Sequence, residues 1–314
     1  MENLSKIYTT GIFRKRQFKA VDDVSLNIAA GETLGLVGES GCGKSTLART
    51  ILRLIPPSGG RVFFKEQDVF AAGPQELKKI RGKMQIIFQH PETAFNPRLR
   101  IYDSLAEPLR LRKLARGRAE EKEQILDLLE QVGLHAEHLT RYPHELSGGQ
   151  IQRLVLARIL SLRPEFIVAD EPTSMLDVSV QAQVLNIFKE IQNRYHIAYL
   201  FISHDLDIVR WMSDRMAVMY KGKIVEIGPA EEICKNPRHP YATSLAEAFR
   251  TFEHHEGRHA EQPREAEAGS GRGRKTSPGG CSYAPFCSDA TAACNRAPEL
   301  KEIAAGHFVA CRRV

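Results

Sequence analysis

The clearest chemistry in this chain lies in Gly38-Glu39-Ser40-Gly41-Cys42-Gly43-Lys44-Ser45-Thr46. The spacing G-x-x-x-x-G-K-[ST] puts glycines where backbone amides must turn inward, then a lysine, then a hydroxyl. Inward-facing amides form an anion nest, and a helix starting there adds the positive end of its dipole. Lys44 is spaced to reach the β- and γ-phosphates of a nucleotide, and the Ser45 hydroxyl to take a position on Mg²⁺. A glycine turn that merely caps a helix is the bland alternative. The flanks argue against it: Leu34-Gly35-Leu36-Val37 reads as a buried strand, and residues 46–52 read as a helix.

The elements that must hold such a loop follow from the hydrophobic pattern. Residues 20–28, 61–65 and 67–69 alternate as strands of one sheet, and 84–88 is a further strand ending at Gln89. A proline-punctuated stretch, 91–97, leads into a helical region in which Ile125, Leu128, Leu129 and Val132 share a face and Gly133 is a stop. Residues 90 to about 150 therefore read as a helical insertion into an α/β core. The wholly apolar 166–169 reads as a central parallel strand ending in Asp170-Glu171. An amphipathic helix (Val180, Val184, Ile187, Phe188, Ile191) and a buried strand at 198–202, ending near His204, complete a right-handed crossover. Residues 216–227 read as a hairpin turning at Lys221-Gly222, and 253–280, polar and glycine-rich, as a flexible linker.

Leu146-Ser147-Gly148-Gly149-Gln150 chooses among the many chains with such a loop, and with it the sequence resembles the ATP-binding-cassette (ABC) ATPases. Residues 166–170 and Glu171 are similar to that family's Walker B strand and catalytic glutamate. Ser174-Met175-Leu176-Asp177 is similar to its D-loop, His204 to its switch histidine and Gln89 to its Q-loop glutamine, in the family's order. The resemblance covers residues 1 to about 230. It implies a P-loop α/β cassette: a RecA-like core, an antiparallel β subdomain and a helical subdomain at about 90–150.

The resemblance also implies roles. Gly38, Glu39, Ser40, Gly41, Cys42, Gly43, Lys44, Ser45 and Thr46 would bind ATP, with Gln89 beside them and Tyr8 stacking on adenine. Mg²⁺ would be held through Ser45, Gln89 and, by way of water, Asp170. Glu171 would polarise the attacking water and His204 would steady the γ-phosphate. Ser147, Gly148, Gly149 and Gln150 start a second apolar helix, an anion-binding end that closes the ATP of a partner cassette in a head-to-tail pair. Asp177 contributes across that pair, or simply caps the next helix. Met175 in place of a small residue, Ile151 in place of a polar one, and a short first strand depart from the usual pattern without touching the phosphate chemistry.

Asn236-Pro237-Arg238-His239-Pro240-Tyr241 and the segment 93–98 resemble the branch that imports oligopeptides, dipeptides or nickel; residues 231–252 would be its extension. Residues 281–314 would be a small Cys-rich tail, with four thiols in the spacing Cys281-x5-Cys287-x6-Cys294-x16-Cys311. A cytosolic site disfavours disulfides, and the paired spacing of common zinc modules is missing. The tail resembles extensions of peptide-importer ATPases that hold a [4Fe–4S] cluster; zinc and free thiols are the alternatives. Ser288 stands after Cys287 where the family usually has proline. Cys42 and Cys234 read as ordinary positions, and His254, His255 and His259 as solvated linker residues.

Composition agrees with an enzyme that is neither secreted nor spanning. No apolar run nears the length of about 18 residues that a transmembrane helix needs, and no signal peptide is visible. The net charge of +6 over 314 residues is modest, and the runs at 14–16 and 110–118 read as solvated faces, so no nucleic-acid partner is expected. The expectation is an ATPase subunit on the cytoplasmic face of the membrane, powering peptide uptake. Its partners would be two permease subunits, a second ATPase subunit (a paralogue rather than a second copy) and, indirectly, an external binding protein. Nickel uptake is the near alternative. A soluble cassette acting on nucleic acid or ribosomes would need two cassettes or a coiled-coil insertion, and only about 60 residues separate Gln89 from Leu146. A tail that senses redox state or iron and gates hydrolysis is the third reading.

Overall fold

The structure, a computed structural model, describes residues 1–11, 16–253 and 279–314. Two nine-residue strands, β1 (Glu2–Thr10) and β2 (Arg16–Val24), pair antiparallel. Beyond β3 (Thr33–Val37) and helix α1 (Lys44–Ile51), β4 (Gly59–Arg61) returns to β1 and completes a three-stranded sheet. β5 (Phe63–Phe64) and β6 (Gln67–Asp68) form a separate two-stranded ladder. Two expectations are corrected here. The first strand is not short, and residues 61–69 do not continue one sheet: Arg61 ends β4, while Val62 and Val69, paired at the open end of the ladder (Val69 N–H to the Val62 carbonyl, 2.8 Å), turn inward to the core.

Helix α2 (Pro74–Lys83) leads into β7 (Met84–Ile87), after which the helical insertion begins. It comprises α3 (Ile101–Arg112), α4 (Arg118–Gln131) and α5 (Gly148–Leu160), with short 3₁₀ turns before α3 and between α4 and α5. Ile125, Leu128, Leu129 and Val132 are buried together as their spacing requires, and Gly133 ends the helix at φ 66°. The remaining core elements are β8 (Phe166–Asp170), α6 (Val178–Tyr195), β9 (Ala198–Ile202), α7 (Leu206–Met212), β10 (Arg215–Tyr220) and β11 (Lys223–Pro229). Helices α8 (Ala230–Lys235) and α9 (Pro240–Glu253) follow, then β12 (Lys301–Ala304) and β13 (His307–Val309).

The main sheet runs β12-β13-β11-β10-β3-β9-β8-β7, parallel from β10 to β7 and antiparallel beyond β10. Strands β3, β8 and β9 are buried at every residue, as continuous apolar runs under helices on both faces should be. The two-residue period divides them. Ile167, Ala169, Tyr199 and Phe201 face one core with the helical insertion, while Phe166, Val168, Leu200 and Ile202 face another with α1 and α2. Because the strands are parallel, their C-terminal ends gather at one edge, where α/β folds bind ligands.

The tail is not merely appended. Strand β13 pairs with β11 (Glu226↔Val309, Ile227↔Phe308), so the last residues extend the main sheet and cover an edge that would otherwise offer unpaired backbone groups. The linker, apart from its end residues, and the three histidines His254, His255 and His259 lie outside the described residues, as do positions 14 and 15 of the first basic run. No described helix is long and apolar enough to cross a membrane.

Candidate active site

The loop between β3 and α1 has the shape its spacing implies. Gly38 and Gly43 sit at φ 152° and 116°, and a Cβ on either would come within 2.2 Å of the Met219 carbonyl or 2.1 Å of the Ala20 carbonyl. Only glycine fits such positions. The loop is fastened from outside as well: Gly222 N–H donates to the Cys42 carbonyl (2.8 Å), and Glu39 N–H donates to the Tyr241 hydroxyl (2.9 Å). Lys44 is buried, its ammonium folded back onto the Gly38 (2.6 Å) and Glu39 (3.0 Å) carbonyls. A lysine held on weak backbone acceptors inside an amide nest is poised to trade them for phosphate oxygens. Burial pushes the Cys42 thiol up, so it stands here as a neutral wall residue.

Strands β7, β8 and β9 deliver the other groups. Asp170, only 4% exposed at the end of β8, accepts a hydrogen bond from the Ser45 hydroxyl at 3.1 Å. Burial raises its pKa, which marks a carboxylate short of counter-charge. Glu171, next along, adopts φ 50°, a left-handed conformation costly for a side-chain-bearing residue. That twist turns its carboxylate toward Gln89, whose Nε2 donates to Oε2 at 2.9 Å, while His204 Nδ1 lies 3.6 Å from the same oxygen. Residues 82 and 33 positions from Glu171 in the chain thus meet on it. Gln89 and His204 are exposed, so the cluster opens to solvent.

The signature segment starts α5 with a reciprocal cap: Ser147 Oγ accepts from Gln150 N–H at 3.3 Å, and Ser147 N–H donates to Gln150 Oε1 at 3.0 Å. A Cβ on Gly149 would lie 2.3 Å from Val180 Cγ1, and one on Gly148 3.2 Å from Leu176 Cδ2. These contacts tie the segment to the start of α6, not to the phosphate loop. Asp177 caps α6, accepting from Val180 N–H at 3.0 Å, so the simpler of its two readings is satisfied in the single chain. Beside it Val178 is 82% and Met175 65% exposed. Tyr8, on β1, is 38% exposed, opposite Phe18 in register and with the Lys6 ammonium 5.0 Å from its ring centre.

Two features were not legible beforehand. Tyr241, singled out only as part of a branch motif, reaches the phosphate loop. Glu226, fully buried, gathers the amides of Arg238 and His239 and the His307 ring (Nε2 to Oε1 2.8 Å), locking the 238–241 segment to the tail. Common residue types joined across 12 to 81 positions leave no pattern in a sequence.

The tail cysteines come together but not as a ligand set. Cys281, Cys287, Cys294 and Cys311 are free and line one cavity of about 70 Å³ beside Tyr283 and His239. Among the described residues, however, no three His, Cys, Asp or Glu side chains are placed to hold a metal ion. Burial pushes the Cys281 and Cys287 thiols up, so in the absence of a bound ion they stand as neutral thiols. The expected [4Fe–4S] cluster therefore has its donors by type but not by convergence, and zinc fares no better. For Mg²⁺ the donor chemistry fits: Asp170, Ser45 and Gln89 are hard oxygen-bearing groups beside the phosphate loop.

Residues 21–174 match the family model "ABC transporter", and residues 225–294 match "Oligopeptide/dipeptide transporter, C-terminal region". The oligopeptide transport ATP-binding protein OppF of Bacillus subtilis is 53% identical over 232 residues, covering 74% of this chain and 76% of that one. The oligopeptide transport ATP-binding protein AppF of the same organism is 43% identical over 306 residues, covering 96% and 92%. The dipeptide transport ATP-binding protein DppF of Lactococcus lactis is 47% identical over 247 residues, covering 78% of each. Among solved structures, the ATP-binding cassette MJ0796, a dimer in a post-hydrolysis state with ADP and Pi, superposes with a TM-score of 0.65 at 28% identity, covering 73% of this chain and 97% of that one.

Proposed function

This chain belongs to the ABC transporter family, in its oligopeptide and dipeptide branch, and from that premise we propose that it is the ATP-hydrolysing subunit of a peptide importer. The observation that carries the reading is the meeting of Gln89, Glu171 and His204 at the strand ends beside the phosphate loop. In this proposal the amides of residues 41–46 and Lys44 hold the triphosphate, and Tyr8 stacks on the adenine. Glu171, fixed by Gln89, orients the attacking water and takes up its proton, and His204 donates to the γ-phosphate as charge moves to the leaving oxygen. Asp170, Ser45 and Gln89 would hold Mg²⁺, which supplies positive charge to the phosphates.

The open, capped signature helix and the exposed Val178 and Met175 support pairing with a second ATPase subunit, whose ATP Ser147, Gly148, Gly149 and Gln150 would close. Two copies of one chain or two paralogues satisfy that geometry equally; the paralogue is the reading kept here. Two permease subunits complete the assembly, contacting the region around 89–100 on the cytoplasmic face, with an external binding protein bringing cargo. The cassette proper is taken as residues 1–230, with 231–252 and 281–314 as additions. A role on nucleic acid finds no counterpart in relatives whose names are all of transport.

The test is uptake of a labelled oligopeptide by cells in which Lys44→Ala replaces the native chain, together with phosphate release by the purified protein. Loss of both supports the reading. Peptide uptake unaffected while nickel uptake fails would move the cargo to the metal. The four tail thiols are a candidate [4Fe–4S] site by donor type alone, and no step is assigned to it. Iron and sulfide analysis after anaerobic purification decides, with about four irons per chain supporting the cluster.

A further inference from the structure

Tyr241 is among the most completely buried large side chains of the molecule, at 2% exposure, although it carries a hydroxyl. A buried phenol needs a partner, and this one's is the Glu39 amide inside the phosphate loop, 2.9 Å away and 202 positions distant in sequence. Burial pushes its pKa far up, so the group stays a neutral phenol throughout the working pH range.

The ring is held from the far side. It packs against Tyr220 at 4.5 Å between centres and against Tyr283 of the tail at 5.5 Å, edge-on, while Tyr220 and Tyr283 meet at 5.3 Å and 89°. Tyr283 is fixed by its hydroxyl on Ser244 Oγ (3.0 Å). The backbone of Tyr241 is fixed too: its N–H donates to His239 Nδ1 (3.0 Å), and the His239 and Arg238 amides rest on buried Glu226, which His307 ties to β13. The aromatic and hydrogen-bonding partners that hold this ring and its backbone thus come from the 238–244 segment, the β10–β11 hairpin and the tail.

The residue it holds is a junction of the loop. The Glu39 carbonyl accepts from Cys42 N–H (3.2 Å) and from the Lys44 ammonium (3.0 Å). The amide of the same residue is occupied by Tyr241, so it is not offered to phosphate; it fixes the entering limb, while the first amides of α1, which have no partner within their own helix, stay available to an anion. A loop whose entry is anchored loses less conformational entropy when the anion binds.

We propose that Tyr241 is a positioning residue of the nucleotide site: its hydroxyl, braced by Tyr283 of the tail, pins the Glu39 amide and preshapes the loop for triphosphate. This rests on the ATP reading above. It gives the 279–314 segment a role in nucleotide affinity that requires no metal, and it makes tail and loop one mechanical unit.

The test uses the full-length chain and MgATP. Tyr241→Phe keeps the aromatic packing and removes only the acceptor. It should raise the MgATP Kd, and the KM for hydrolysis, about fivefold, the worth of one hydrogen bond, with kcat unchanged. Tyr283→Leu should raise Kd in the same direction about twofold, the worth of an aromatic edge contact, and should add nothing in the Tyr241→Phe background. A role limited to folding would instead lower the melting temperature and kcat at constant KM, and that result would overturn the proposal. So would an unchanged Kd in Tyr241→Phe. Additive effects of the two changes would overturn the bracing by the tail. Failure of the unaltered protein to bind MgATP would sink the ATP reading itself, and is told apart because no substitution is involved.

Discussion

Exchanging Glu171 for glutamine perturbs the site with the least collateral change. The amide has the same shape, so the residue keeps its left-handed φ of 50° at no added cost, and its carbonyl oxygen can turn to accept the Gln89 Nε2 bond now made at 2.9 Å. The scaffold is therefore preserved. What disappears is the proton-accepting oxygen and one negative charge 3.6 Å from His204 Nδ1. Loss of a positioned general base costs about 10²–10⁴ in rate, or about 3–5 kcal/mol of barrier. Binding should move the other way if at all, because Glu171 is one of the charges that raises the Asp170 pKa and repels phosphate. Phosphate release under single-turnover conditions, beside a fluorescent-nucleotide titration, measures the two quantities separately. We expect hydrolysis reduced at least about a hundredfold with MgATP affinity equal or higher. Hydrolysis within about threefold of the unaltered protein would remove Glu171 from the chemistry, since even the smallest general-base effect exceeds that.

Three further outcomes follow from the packing. Gly43→Ala, whose Cβ would sit 2.1 Å from the Ala20 carbonyl at φ 116°, should abolish MgATP binding in a nucleotide titration and cost about 3 kcal/mol in urea unfolding. Glu226→Ala strips the acceptor from the buried His239 amide, the part-buried Arg238 amide and the His307 ring; it should cost about 3 kcal/mol and lower the calorimetric melting temperature by roughly 6 °C. Burial pushes His239 down to about 4, below its ordinary value. Because the unfolded chain then binds the extra proton first, this histidine's contribution is complete above about pH 6.5 and is lost as pH falls toward 4. Between pH 7 and 5 that amounts to about 2 kcal/mol. His239→Asn, whose side-chain oxygen can replace Nδ1 as acceptor for Tyr241 N–H, should remove most of that slope in urea unfolding at the two pH values.

The parts of the site that were legible beforehand are those whose chemistry is carried by consecutive residues. A phosphate nest needs successive amides, so residues 38–46 declare themselves by spacing alone, and a helix start such as Ser147 to Gln150 declares its cap. Buried parallel strands read as apolar runs, which put Asp170, Glu171, Gln89 and His204 at strand ends before any geometry was known. The misjudged β5–β6 ladder and first strand are largely exposed or half-exposed, where neither burial nor period constrains residue choice.

The sequence by itself determined the nucleotide chemistry and the branch of the family, because contiguous spacing encodes both the backbone nest and the motifs around it. Only the tertiary structure decided that the tail completes the main sheet, that its thiols share a cavity without converging on a metal, and that Tyr241 closes on Glu39. Those facts depend on which edge of a sheet a distant strand finds and on which buried hydroxyl meets which amide. Such meetings are set by packing across the whole chain, and a tyrosine, a glutamate or a cysteine carries no local mark of the partner it will reach.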